Sequence, residues 1–187
     1  MNAQRRYQGS TDLPLSPAGR AMLRRADVTP ERVFVSPLVR AVETAAILFP
    51  SSRLVTVEGL QEMNFGVFEG RSADEMGTDC RYRAWVDGGC EGRCPGGESR
   101  GEFCDRVCET FVRLLERERQ WGSGLLVIVA HAGTQMSVLE RFGVPKRPYY
   151  RWMTGNGCGF VLSDEDWERN QTLKLLGERR FTGGVSW

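Results

Sequence analysis

The sequence has one histidine in 187 residues. That scarcity excludes every site built from two histidines, including the usual two- and three-histidine zinc centres. An excess of charge is also missing, with 25 Lys+Arg against 24 Asp+Glu and a formal net charge of +1. A broad basic face for nucleic acid is therefore not expected. Long hydrophobic runs are absent too. The longest, Leu125 to Ala130, is far short of the ~20 residues that cross a bilayer. The opening, MNAQRRYQGSTD, lacks the apolar stretch of a signal peptide. Neither nucleic acid nor membrane is expected among the partners, and a cytoplasmic location is the default expectation. In a reducing compartment the six cysteines read as thiols rather than disulfides.

What is present suits one globular domain over residues 1–187. Apolar residues make up 41% and charged residues 26%, ordinary values that argue against disorder. A chain of this length buries about 70% of its unfolded surface. No repeat, low-complexity tract or Pro/Ser linker divides it.

The pattern alternates helix and strand. Ser16-Pro17 reads as N-cap and first helical residue, opening a helix to about Asp27. Arg32 to Val35 reads as a strand ending at Ser36. A helix opens at Pro37 and closes before Pro50, and a second strand covers Leu54 to Val57. A glycine-rich irregular segment follows, with short helices near Ala73 and Tyr82. Glu98 to Gln120 is the longest helix, with Phe103, Val107, Phe111, Leu114 and Leu115 on one stripe. Leu125 to Ala130 is apolar on both faces, as a buried parallel strand would be, and a helix should run from His131-Ala132-Gly133 to about Phe142. Gly159 to Ser163 and Thr172 to Leu176 are weaker strands. The alternation predicts an α/β fold, a three-layer α/β/α sandwich with a mostly parallel sheet. Sites in such folds lie at the carboxyl ends of the strands. Ser36–Arg40, Gly59–Glu62 and His131 match that rule.

Three side chains stand out there. His131 sits where an apolar strand meets a glycine turn and a helix. A lone histidine is more often a packing residue, but this position can present an imidazole and backbone N–H groups to an anion. Arg40, in SPLVRAVET, is either a solvated helix arginine or a planar fork aimed at phosphate or carboxylate. Glu62, in LQEMNFGVFEG, is either a loop carboxylate or a general acid, kept protonated beside a phosphate dianion. Arg5 to Gly9 taken alone read as a disordered tail. Cys90-x3-Cys94 with Cys104-x3-Cys108 could form a four-thiolate zinc site; helix cysteines more often pack as small hydrophobes, and no metal is expected.

Several segments together resemble one family. They are Asn2 with Arg6-Tyr7-Gln8-Gly9, Asp12, Leu15-Ser16 and Gly19-Arg20; then Ser36-Pro37-Leu38, Arg40-Ala41 and Glu43-Thr44-Ala45; then Leu60, Glu62 to Gly66 and Phe68-Glu69-Gly70. Pro95 to Ser99 and Val127, Val129 to Gly133 complete them. In this order and at these intervals they resemble the histidine phosphatase superfamily, with its phosphoglycerate mutase-like fold. The resemblance implies that Arg40 clamps phosphate and Glu62 donates a proton to the leaving oxygen. It makes His131 the second, phosphate-binding histidine. It places Asn2, Gln8, Gly9 and Ala132 on the pocket wall, and it implies a small phosphorylated metabolite as partner and no cofactor. The short chain and its Tyr7-Gln8-Gly9-Ser10 opening look like the phosphatase branch, similar to alpha-ribazole phosphatases, rather than the mutases with added segments over the substrate. The sequence around Trp85 and Trp152 is expected to shape the pocket mouth.

The sequence departs from the family at one point: it has no Arg-His-Gly segment, where the family carries its nucleophilic histidine. The expectation is a chain read from an internal methionine, lacking the first strand and the motif, roughly ten residues in all. Such a chain would expose a sheet edge, through which a dimer could form. The alternative expectations are a non-catalytic relative that keeps a phosphate pocket, or a phosphoglycerate mutase-type phosphotransferase.

Overall fold

The computed structural model describes residues 6–183. The first helix, α1 (Pro17–Met22), has Pro17 in its first turn, and its first-turn Gly19 N–H is satisfied by the Ser16 hydroxyl at 3.0 Å. It ends well before Asp27 because Leu23 turns extended, is buried, and bridges to Thr182. Next come β1 (Arg32–Val35), α2 (Val39–Leu48) and β2 (Arg53–Thr56). Two short 3-10 turns, Glu58–Leu60 and Gly66–Phe68, carry the chain to α3 (Cys80–Asp87). The helix expected near Tyr82 is thus present. The stretch around Ala73 is a series of turns instead, tied down where the Glu75 carboxylate accepts from Ser72 N–H and from Arg6.

The long helix α4 (Arg100–Gln120) opens on a capping box. The Ser99 hydroxyl accepts from Glu102 N–H, and the Glu102 carboxylate accepts from Ser99 N–H. The remaining elements are β3 (Ile128–Val129), α5 (Ala132–Phe142), β4 (Gly143–Val144), a 3-10 turn at Tyr149–Trp152, β5 (Cys158–Ser163), α6 (Trp167–Asn170) and β6 (Leu173–Arg180).

Strand β1 shows why the helices lie on both faces. Side chains alternate across a strand. Val33 and Val35 point one way, into a cluster with Ala41, Ala45 and Leu48 of α2. Phe34 points the other way, against Leu60 and Leu114 of α4. Val127 and Val129 join the first cluster; Leu126, Ile128 and Ala130 join the second. The layers are therefore α2, sheet and α4. A second cluster on the α4 side runs from Phe103, Val107 and Phe111 to Val138 and Phe142 of α5.

The strands form two three-stranded sheets where one was expected. In the order β2-β1-β3, both pairings are parallel. In the order β4-β6-β5, β4 is parallel to β6, whereas β5 is antiparallel to it. The antiparallel pair arises because β5 and β6 are joined by a short connection over α6, which returns the chain along the same edge. The stretch Leu125 to Ala130 contributes only two ladder residues and is at most half-buried, not a fully covered strand. It pairs with β1 alone among the described residues. Residues 6–9, far from being a tail, are fixed: Tyr7 N–H donates to Arg71 O at 3.0 Å, and its ring packs edge-on against Phe65, Tyr82 and Trp85.

The capping box can be tested directly. Ser99→Ala leaves first-turn donors of α4 without a side-chain acceptor and should cost about 1 kcal/mol. Urea unfolding should show a lower midpoint with an unchanged slope.

Candidate active site

The parallel strands β1 and β3 deliver two short connections to the same end of the sheet. After Val35 the chain passes through Ser36, which is fully buried, and enters α2. Helix α2 has no cap of its own: Leu38 supplies no side-chain bond. The cap comes from a distant loop, because Asp12 Oδ1 accepts from Val39 N–H at 2.7 Å. One residue on, Arg40 turns back to that loop and donates to Thr11 O at 2.8 Å and Gly9 O at 2.6 Å. These bonds engage two of the five N–H donors of its guanidinium. Burial lowers its pKa, opposed by the carboxylates of Glu62, Asp12 and Glu69. A guanidinium stays charged through such a shift.

Loop 9–11 is held from its other side by Glu69. This carboxylate accepts from the N–H groups of Gly9 (3.1 Å), Ser10 (2.9 Å), Thr11 (3.4 Å) and Phe65 (3.0 Å). The Thr11 hydroxyl donates to it at 2.6 Å and the Ser10 hydroxyl at 3.3 Å. Burial pushes its pKa up, but those donors outweigh the burial and leave it below the ordinary carboxylate range. The loop has no room for a side chain at its start, since a Cβ on Gly9 would sit 1.8 Å from Met63 O.

After β3, His131 becomes the N-cap residue of α5 without capping it by its side chain. Its Nε2 instead lies 2.7 Å from the buried Ser36 Oγ. The helix N-terminus is met by Glu62. Glu62 Oε2 accepts from Gly133 N–H at 3.1 Å and Oε1 from Met63 N–H at 3.0 Å. Burial is the largest influence on Glu62 and raises its pKa, despite those bonds and the nearby Arg40 and Arg106. Burial also dominates at His131. With Arg40 and Arg106 adding to it, the imidazole pKa falls to about 3. The imidazole is therefore neutral at physiological pH.

The Glu62 loop is pinned from α4. Arg106 donates to Gly59 O and Gln61 O, both at 3.1 Å, and pairs with Glu98 through two bonds of 2.9 Å. Glu98 in turn accepts from Asn64 N–H at 2.9 Å.

Arg40, Glu62 and His131 thus come together at one end of the sheet, as their positions in the sequence suggested. Ala132 is the exposed first residue of α5 beside them. Gln8 is half-buried next to the loop. Gly9 is present but already occupied, its N–H on Glu69 and its carbonyl on Arg40. Asn2 lies outside the described residues. Trp85 and Trp152 do not shape a mouth: both are buried, Trp85 in the aromatic cluster with its indole N–H on Gly92 O, and Trp152 in the core beside Leu139. Among the described residues no group of three or more His, Cys, Asp or Glu side chains could hold a metal. That removes the four-thiolate reading. The sequence reading placed Ser36 at a strand end but gave no role to Ser36, Glu69 or the Arg106–Glu98 pair. Their acidic and polar character was visible, but the loop donors to Glu69 lie 58 to 60 positions away and His131 lies 95 from Ser36.

An arginine fork, a helix N-terminus, a neutral imidazole and a carboxyl biased toward its protonated form make a place where an oxyanion can bind and a leaving oxygen can gain a proton.

The histidine phosphatase superfamily (branch 1) matches residues 1–175 of the chain. A protein of Salmonella choleraesuis named Probable phosphoglycerate mutase GpmB is 33% identical over 124 residues, 62% of this chain and 58% of that protein. Its counterpart in Proteus mirabilis is 34% identical over 120 residues, 57% of this chain and 54% of that protein. The matched segment therefore spans a little over half the length of these curated relatives. Among solved structures, the alpha-ribazole phosphatase of Shigella flexneri superposes with a TM-score of 0.76 at 24% identity, covering 99% of this chain and 93% of that one. At that identity the likeness is one of fold. A phosphoglycerate mutase of Thermus thermophilus gives a TM-score of 0.63 at 29% identity, over 95% of this chain and 90% of that one.

Gly133 tests whether the site is a packed unit. A Cβ there would lie 2.2 Å from Glu62 Oε1 and 2.9 Å from the Phe103 ring. Gly133→Ala should expel the Glu62 carboxylate and destabilise the fold by about 1–3 kcal/mol through overpacking. Thermal unfolding gives the stability loss, and oxyanion binding should weaken in the same variant.

Proposed function

The chain belongs to the histidine phosphatase superfamily, branch 1, and on that premise we propose that the site binds the phosphate of a small phosphorylated metabolite. The observation that carries this reading is the convergence of Arg40, Glu62 and His131 on the N-terminus of α5. Arg40 and the first N–H groups of α5 take the phosphate oxygens. His131 lies at the same strand end, neutral until an anion arrives. Glu62, biased toward its protonated form, hands a proton to the leaving alcohol and afterwards takes one from water.

The reaction assigned to this site is phosphomonoester hydrolysis through a phosphohistidine. An imidazole attacks phosphorus, the P–O bond to the alcohol breaks, and Glu62 protonates that alcohol. Water then attacks the phosphohistidine and releases phosphate and the imidazole. The step needs an attacking imidazole besides His131, and the 187 residues hold one histidine. The outer edges of β3 and β5 have no ladder partner among the described residues. A parallel strand on the outer edge of β3 would end about 4.8 Å from it, so an imidazole at its tip would stand beside His131. A strand carrying Arg-His-Gly, added at this edge, would supply that imidazole. Water is the assigned acceptor, as in the phosphatase branch. The connections from β1 to α2 and from β3 to α5 are short, three and two residues.

A second reading, favoured by the single histidine, is a phospholigand-binding module without turnover. One experiment separates the two. The 187-residue chain should bind phosphate and hydrolyse p-nitrophenyl phosphate only marginally. A chain extended at its N-terminus by a strand and Arg-His-Gly should gain several powers of ten in rate, the usual scale for a covalent nucleophile. Ordinary enzyme rates from the 187 residues alone would sink the assignment of roles. A silent extended chain would favour the binding module.

The depressed imidazole pKa fixes a pH dependence. A bound dianion stabilises the imidazolium, so the pKa in the complex lies above about 3, and binding takes up a proton in the window between the two values. Sulfate keeps its double charge through most of that window, so its affinity should rise as pH falls below the pKa of the complex toward about 3. Titration calorimetry of His131→Gln should show a flatter profile. An identical slope in both proteins would contradict the assignment.

A further inference from the structure

Loop 9–11 is gripped from both sides by charged groups of opposite sign. Its three consecutive N–H groups converge on Glu69, and its carbonyls at Gly9 and Thr11 receive Arg40. Consecutive N–H groups in such a concave turn form a natural anion cradle. Here the anion is part of the protein. With the N–H groups turned toward Glu69, the carbonyls of Gly9 and Thr11 stand toward Arg40, which reaches both at once. A fork held at two acceptors is fixed in direction and in rotation, which an arginine with one partner is not.

We propose that Glu69 is a positioning residue for Arg40, acting through the backbone of residues 9–11 to fix the guanidinium for an incoming phosphate. The inference rests on the phosphate-binding role proposed for Arg40. Glu69 touches neither the ligand nor the reacting atoms in this scheme. It is set apart from ordinary loop anchors by where its bonds go. Besides Phe65 N–H, every donor to its carboxylate lies on loop 9–11, whose Gly9 and Thr11 carbonyls hold Arg40. The loop is fastened to the same helix a second time, by Asp12 at Val39 N–H. Loss of Glu69 should therefore loosen the guanidinium without detaching the loop from α2.

The test reads Arg40 itself. In nitrogen-15 NMR spectra a guanidinium held at two acceptors rotates slowly and shows resolved Nη–H signals, assigned by their loss in Arg40→Lys. Glu69→Gln should merge or broaden those signals. It should also weaken sulfate binding at least tenfold, while in the Arg40→Lys background the same change should alter affinity less than twofold. Such non-additivity marks coupled residues. Ser99→Ala serves as a control for general loosening and should leave the Arg40 signals resolved. Should Glu69→Gln fail to fold, Thr11→Val removes the 2.6 Å hydroxyl bond to Glu69 with little change of shape and should produce the same changes on a smaller scale. Resolved Arg40 signals in Glu69→Gln, or in Thr11→Val where only that variant folds, would overturn the proposal. So would an equal loss of affinity with and without Arg40. If the unaltered protein binds no sulfate, the phosphate reading falls, and the NMR signals alone still decide the role of Glu69.

Discussion

Charge removed from water must be paired, and at the carboxyl ends of β1 and β3 this requirement governs the whole arrangement. Arg40, Glu62, Glu69, Glu98 and Arg106 all sit there at least partly buried. An unpaired buried charge costs far more than a typical hydrogen bond returns. Each carboxylate is accordingly met by backbone N–H groups, and each guanidinium by carbonyls or a carboxylate. The backbone supplies most of the partners, so the loops that supply them lose their freedom. The Glu62 loop is fixed by Arg106, the 9–11 loop by Glu69 and Arg40, and the start of α5 by Glu62. Site geometry and loop conformation are the same set of bonds viewed from two ends.

Pairing also explains why His131 and Glu62 are biased in opposite senses of charge yet toward the same electrical state. Burial disfavours the ionised form of both. Two guanidiniums nearby reinforce this for the imidazole and oppose it for the carboxylate. Donors and acid are thus already in place for an oxyanion, which would bind without large rearrangement.

Much of this was legible in the sequence, for a physical reason. Features set by local chemistry appear in local patterns: the Ser16 and Ser99 caps, the apolar stripe of α4, the strand Arg32–Val35 and the three side chains at strand ends. Their places could be read because an apolar run followed by a helix start marks where a strand ends. What escaped is what depends on distant partners. Helix α2 starts at Val39 and not at Pro37 because its cap is Asp12, 27 residues earlier. Helix α1 stops at Met22 because Leu23 finds Thr182. The role of Glu69 as an anchor is not legible locally because its three loop donors lie near the start of the chain. The segments around Trp85 and Trp152 suggest a pocket mouth because size alone does not distinguish a core aromatic from a rim aromatic; burial decides, and it places both rings inside.

The split of the strands into two sheets bears on the same site. Leu125 to Ala130 has the composition of a strand covered on both faces and paired on both edges, yet among the described residues it pairs on one edge only. An unpaired edge beside half-buried valine and isoleucine is an arrangement proteins generally cover or blunt, and β3 itself carries no charge or proline. His131 stands at the carboxyl end of this strand, next to the buried Ser36. Among the described residues, the open edge of β3 and the imidazole therefore meet at the same end of the sheet.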